Sequence, residues 1–170
     1  MSAKPRILLI AIGNRSRGDD GVAPVLLERV AGKIKAPANV QIVAEEVYQL
    51  QPEHIYDIEA ADALLIIDAA TDLDANVRLD PIRTNAAAEV GTHTVSPDNL
   101  LGLYQSLLEK SPPPSLLLTI KASEFGFTET LSASCQQALD EAERFLLQQL
   151  AAPAGLFEHM ESADGVARRS

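Results

Sequence analysis

Cysteine is nearly absent from this chain. The single thiol, Cys135, excludes an internal disulfide and any zinc site built on cysteines. Aromatic residues make up only 4% and there is no Trp, so the core must be built from Leu, Ile, Val and Ala. Basic residues are in the minority, 14 Lys and Arg against 24 Asp and Glu. The resulting net charge of -10 argues against a nucleic-acid partner or an anionic membrane surface. No apolar run approaches the ~20 residues of a membrane span. The start, Met1-Ser2-Ala3-Lys4-Pro5, leads into an apolar stretch too short for a signal peptide. The expected location is cytoplasmic, with no membrane and no nucleic acid among the partners.

Familiar catalytic signatures are missing as well. The chain has no Gly-x-Ser-x-Gly elbow, no His-Glu-x-x-His and no phosphate-binding Gly-x-x-x-x-Gly-Lys-Ser/Thr loop. Its early glycines, Gly13, Gly18 and Gly21, do not fit the dinucleotide spacing.

The chain does have apolar residues in quantity, 46% of 170 residues, which is enough for one domain with a full core. Residues 7–12 and 62–68 are apolar runs that read as strands buried on both faces. Residues 40–43, 77–79 and 116–121 read as further strands, the one at Val77 short enough to run antiparallel at an edge. Helical patterns cover 21–34, a short stretch after Pro52, a stripe of Leu100, Leu103, Tyr104, Leu107 and Leu108, and a last helix capped by Ser132. Strands alternating with helices mean an α/β layered domain of about five strands, with a mostly parallel sheet and helices on both faces. It should occupy residues 1–152. Residues 153–170, polar and aperiodic, read as a disordered tail whose removal from 154 onward should cost little stability.

Polar groups at strand ends carry the chemistry. Asp19-Asp20 follow the first strand on a glycine-flanked loop and stand before a helix. An Asp there is an ordinary N-cap, but two in a row exceed what a cap needs. Asp68 ends the central strand and His93 precedes a helix. In an open α/β sheet, strand carboxyl ends are where ligands bind. Two carboxylates and an imidazole suit a divalent transition metal with positions left open. A lone strand-end Asp more often caps the turn after its strand, and Asp68 has that reading too. His54 and His159 read as bland, and Cys135, on an apolar helix face, as a buried structural thiol. A rival pattern is the receiver domain of two-component signalling, which Asp19-Asp20, Asp68 and Lys121 imitate.

Gly13-Asn14, then Arg17-Gly18-Asp19-Asp20-Gly21-Val22, then Ile66-Ile67-Asp68-Ala69, then Thr92-His93 ahead of Ser96-Pro97, resemble the hydrogenase maturation endopeptidases over roughly residues 6–150. The resemblance implies a three-layer α/β/α sandwich on a twisted, mostly parallel sheet. It implies an endopeptidase that removes the C-terminal extension of a nickel-iron hydrogenase large-subunit precursor once nickel is in place. The nickel, supplied by the precursor, would be recognised by Asp20, Asp68 and His93, with Asp20 and Asp68 also the catalytic residues. Asp19 corresponds to the family's preceding acidic neighbour. Ala11 stands where the family usually has Gly, and Ala23 where it often does. Glu45-Glu46-Val47-Tyr48-Gln49-Leu50 with Pro52-Glu53 resembles the branch serving bidirectional, NAD(P)-coupled hydrogenases. Asp98 is the substitute candidate if His93 is not a ligand. No nucleophile is identifiable, which leaves open a non-catalytic checkpoint protein that binds the nickel precursor without cutting it.

Overall fold

Five of the chain's apolar runs come together as one sheet. The computed structural model describes residues 3–87, 95–156 and 158. The strands are β1 (Arg6–Ile12), β2 (Gln41–Val47), β3 (Ala63–Ala70), β4 (Val77–Pro81) and β5 (Ser115–Lys121). The helices are α1 (Val22–Val30), α2 (Ile55–Glu59), α3 (Pro97–Leu108) and α4 (Ala133–Ala151). Strand order is β2-β1-β3-β5-β4. The first four are mutually parallel, and β4 pairs with β5 antiparallel at the edge. This is the α/β class expected, with the Val77 strand running as an antiparallel edge.

Strand periodicity divides the core in two. Along β1, Ile7, Leu9 and Ala11 point to one face, where α1 and α4 pack; Leu8 and Ile10 point to the other, with α2 and α3. In α4, Cys135, Ala138, Leu139, Ala142, Leu146 and Leu150 recur at helical spacing and are all buried. Ala63 to Ile67 of β3 are buried in succession because helices cover both sides of that strand. Each fully buried aliphatic side chain contributes about 1.5–3 kcal/mol of transfer free energy.

Some boundaries differ from the sequence reading. The stretch 45–47 is strand rather than connection: the ladder of β1 with β2 continues through Ile12 and Val47, and pairing overrides local polarity there. Asp68 is followed by two more strand residues, Ala69 and Ala70, paired with Ile120 and Lys121. The first helix stops at Val30 instead of running to 34. At the other end of the chain, Leu156 is 2% exposed and belongs to the α1/α4 core, so packed structure reaches past Pro153. Among the described residues, no helix is long and apolar enough to cross a membrane.

Topology decides where a site can be. From β1 the chain moves out to β2 on one side, while β3 lies on the other. The loops leaving β1 and β3 therefore diverge and open a crevice at the carboxyl edge, the usual ligand position in such sheets.

Candidate active site at the carboxyl edge

The β1–α1 connection is built by close backbone approaches. Gly13 has φ +153, and a Cβ there would stand 1.9 Å from the carbonyl oxygen of Asp20. Gly18 has φ +59, in the left-handed region, and a Cβ there would stand 2.6 Å from the Glu124 carbonyl oxygen. Between them the chain folds back on itself. The Asn14 amide donates to Asp20 Oδ2 at 3.1 Å, and the Arg17 amide to the Asn14 carbonyl at 3.0 Å. A 3-10 turn, Gly18–Gly21, then delivers both carboxylates ahead of α1.

The two neighbouring aspartates have opposite surroundings. Asp19 is fully buried. It accepts the backbone amides of Ser132 at 2.7 Å, Ser123 at 2.9 Å and Glu124 at 3.0 Å, and the Ser132 hydroxyl at 2.7 Å. Burial alone would raise its pKa, but these donors outweigh it and hold the carboxyl below the ordinary carboxylate value. Asp19 is thus an internal clamp between the β1–α1 loop and the β5–α4 loop. Asp20 is half-buried and aims elsewhere. Neither side chain caps α1: Gly21 is the N-cap residue and no side-chain cap bond is made.

Asp68 stands one residue beyond Ile67, the last β3 residue paired with β1. The crevice begins there. Burial pushes its pKa up to about 6, and the charge of Asp20 adds to the rise; the Ala69 amide, 2.8 Å from Oδ1, opposes it. Asp20 and Asp68 are therefore within electrostatic reach of each other, one carboxylate from the turn after β1 and one from β3. Such a pair, with one member titrating near neutrality, can hold or move a proton, or offer oxygen ligands to a metal.

Other candidates are placed as follows. His93 lies outside the described residues. Asp98 takes its place in the first turn of α3, its carbonyl accepting the Asn85 amide at 3.1 Å, and lines a cavity of about 410 Å³ beside Asp80 and Arg83. Among the described residues, no group of three or more His, Cys, Asp or Glu is disposed to hold a metal, so Asp98 does not join Asp20 and Asp68. Cys135 is buried, and burial, with the Asp19 charge adding, pushes its pKa up to about 12, as a structural thiol requires. His54 bonds the Gln51 amide at 2.8 Å and serves a turn. The receiver-like pattern fails at Asp19, which is buried and saturated with donors rather than free beside Asp68.

The structure resembles a NiFe hydrogenase maturation protease, HycI from Thermococcus kodakarensis KOD1, at TM-score 0.62 and 21% identity, over 88% of this chain and 94% of that one. The hydrogenase maturating endopeptidase HybD from E. coli matches at TM-score 0.59 and 20% identity, over 85% and 91%. The endopeptidase HycI from Escherichia coli matches at 0.56 and 23%, over 85% and 90%. The fold is that of the hydrogenase maturation proteases. No protein-family model matches the chain, and no curated protein matches it.

Two features of this edge escape a reading of the sequence. Arg15 is bound by both oxygens of Glu46, at 3.0 and 2.9 Å, and by Glu28, and donates to the Pro24 carbonyl at 3.1 Å. It ties the loop to β2 and α1 and stays firmly charged, chiefly through the Glu46 bond. Ser123 and Ser132, over 100 positions away in the chain, decide the fate of Asp19. The capping signal at Ser132 was visible, but nothing local linked it to Asp19.

Proposed function

We propose that this protein is an endopeptidase that removes the C-terminal extension of a nickel-iron hydrogenase large-subunit precursor after nickel insertion. The reading is carried by one observation: the charge of Asp20, on the loop after β1, acts on the buried Asp68 of β3, in a fold that resembles the hydrogenase maturation proteases. Their donor set fits a metal brought by the substrate better than a resident one. Two carboxylates alone leave most of a transition metal's coordination positions open, and the precursor's own ligands would fill them. His93 is the proposed third ligand. Specificity then follows from the nickel: a precursor without it forms no bridged encounter.

The chain's own residues have separable tasks in this scheme. Asp20, held by the Asn14 amide, orients the nickel-bearing segment. Asp68, with its pKa raised to about 6, takes up or returns a proton at its carboxyl oxygens as the peptide bond is cut. Asp19 keeps Asp20 in place from behind. The substrate's nickel supplies Lewis-acid polarisation of the scissile carbonyl.

The decisive assay mixes the protein with large-subunit precursor, with and without nickel, and follows the C-terminal fragment by mass spectrometry. Release only from the loaded precursor is expected, and Asp20→Asn and Asp68→Asn should each abolish it while the fold is retained. Release at the wild-type rate from either variant would remove that residue from the site. Nickel-dependent binding with no release would replace the peptidase by a non-catalytic checkpoint protein.

A further inference from the structure

Aromatic residues are few, seven in all, and their distribution is uneven. Tyr104 is buried and Phe145 packs against the core. Four others are exposed: Tyr48 at 78%, Tyr56 at 63%, Phe125 at 41% and Phe127 at 100%. A chain short of aromatic residues thus leaves most of them in water. Scattered exposed apolar groups need no explanation, but these are not scattered. Tyr48 directly follows β2, Tyr56 is in the first turn of α2, and Phe125 and Phe127 lie on the loop after β5. Tyr48, Phe125 and Phe127 therefore lie at the carboxyl edge, on the stretches that follow β2 and β5, whereas Tyr56 lies on α2 as the chain turns back toward the start of β3. Leu107, the remaining large exposed apolar residue, is near the far end of α3, at the opposite edge.

The loop bearing the two Phe residues is tied down along its length. The Gly18 amide donates to the Thr128 carbonyl at 2.6 Å and the Asp19 amide to the Glu124 carbonyl at 2.9 Å. The Thr128 amide donates to the Gly126 carbonyl at 2.9 Å, closing a tight turn with Phe127 at its centre. The Asp19 carboxylate then holds both ends, through Ser123 and Glu124 on one side and Ser132 on the other. The backbone that carries the exposed Phe127 is already held, so covering it costs side-chain rotamer freedom but little further loop ordering. The loop also carries Glu124 and Glu129 and no basic residue.

We propose that residues 123–131 form the docking element for the substrate protein, with Phe125 and Phe127 as its contact residues. The inference rests on the peptidase reading and adds to it how the precursor is gripped. The occupant is the folded body of the precursor next to its cleaved segment. The loop packs directly on residues 18 and 19, next to Asp20 in the chain, so a large folded substrate that presents a peptide bond to Asp20 and Asp68 has this loop within reach. The patch it offers should be apolar, to cover two Phe side chains, and rimmed by Lys or Arg, to meet Glu124 and Glu129 in a chain of net charge -10.

The test uses the full-length protein and nickel-loaded precursor, with Phe125→Ala/Phe127→Ala as the variant and Leu107→Ala as the control. Binding is measured by biolayer interferometry and processing by fragment release. The double variant should raise both Kd and KM by about tenfold or more, as loss of aromatic anchors does, with kcat and melting temperature unchanged. Leu107→Ala should match the wild type. Wild-type Kd and KM in the double variant, or a fall in kcat alone, would overturn the docking role and leave the peptidase reading standing. Failure of the wild-type protein itself to bind or cut the precursor would bring down the peptidase reading and the docking role with it.

Discussion

Asp68 is held at a cost to stability. Its carboxyl titrates near pH 6 in the fold against about 3.8 as a free side chain, because burial disfavours the charge. Between those two values the unfolded chain gives up a proton that the folded one keeps, so stability falls as pH rises through this window. Below the lower value the two states bind the proton equally and no penalty remains. Metal-free Asp68→Asn should therefore be more stable than wild type by about 2–3 kcal/mol at pH 7.5, from roughly 1.4 kcal/mol per pKa unit. The gain should vanish near pH 4. Urea denaturation at both pH values checks this, and an equal gain at both would show that burial, not ionisation, is the source. A group kept in an unfavourable state at the mouth of a crevice is what functional sites tend to contain.

At the scale of elements, the site is a junction of two loops. The β1–α1 loop carries Asp20, the β5–α4 loop carries the exposed Phe residues, and Asp19 joins them from inside. Asp19→Asn keeps the size but turns one oxygen into a donor, facing three backbone amides and the Ser132 hydroxyl. At least one buried donor loses its acceptor, and the variant should lose about 2–4 kcal/mol at neutral pH. Since the wild-type carboxyl has a lowered pKa, that stabilisation is fully present above the unfolded value near 4 and is lost as pH falls through the folded one. Hydrogen exchange provides the local test. The amides of Ser123, Glu124 and Ser132 should lose protection in the variant while those of β3 keep most of theirs; uniform loss would mean that Asp19 supports the whole domain.

For the whole molecule, the limit of the packed domain matters. Residues 154 onward read as dispensable in the sequence, because the stretch has no period and many polar groups. Leu156 is nevertheless buried against the α1/α4 core, and Pro153 is buried as well. Burying one Leu contributes about 1.5–3 kcal/mol. A chain ending at residue 152 should thus be about 2 kcal/mol less stable than one ending at residue 158. Equal denaturation midpoints would show that Leu156 packs without stabilising. A single apolar residue after a helix stop leaves no periodic trace, and this is why the sequence reading placed the boundary too early.

Sequence alone determined the parts that depend on near neighbours. Runs such as 63–67, short and apolar between polar residues, read as strands covered on both faces, and the alternation of such runs with helical stripes leaves a layered α/β domain as the outcome. The glycine-flanked loop with Asp19-Asp20 was legible for the same reason, since strand, turn and helix are local states and the turn residues that join them are local too; the end of β3, read at Asp68, lies two residues further because pairing with β5 extends it. The tertiary structure decided which of two adjacent aspartates faces the crevice. It did so through donors over 100 positions away, on a loop brought over residues 18 and 19 by the sheet order. It also decided that burial raises the pKa of Asp68 to about 6 and that the exposed Phe125 and Phe127 stand on a loop packed against residues 18 and 19. Desolvation and long-range hydrogen bonding depend on what the fold brings close, and distance along the chain carries no record of that.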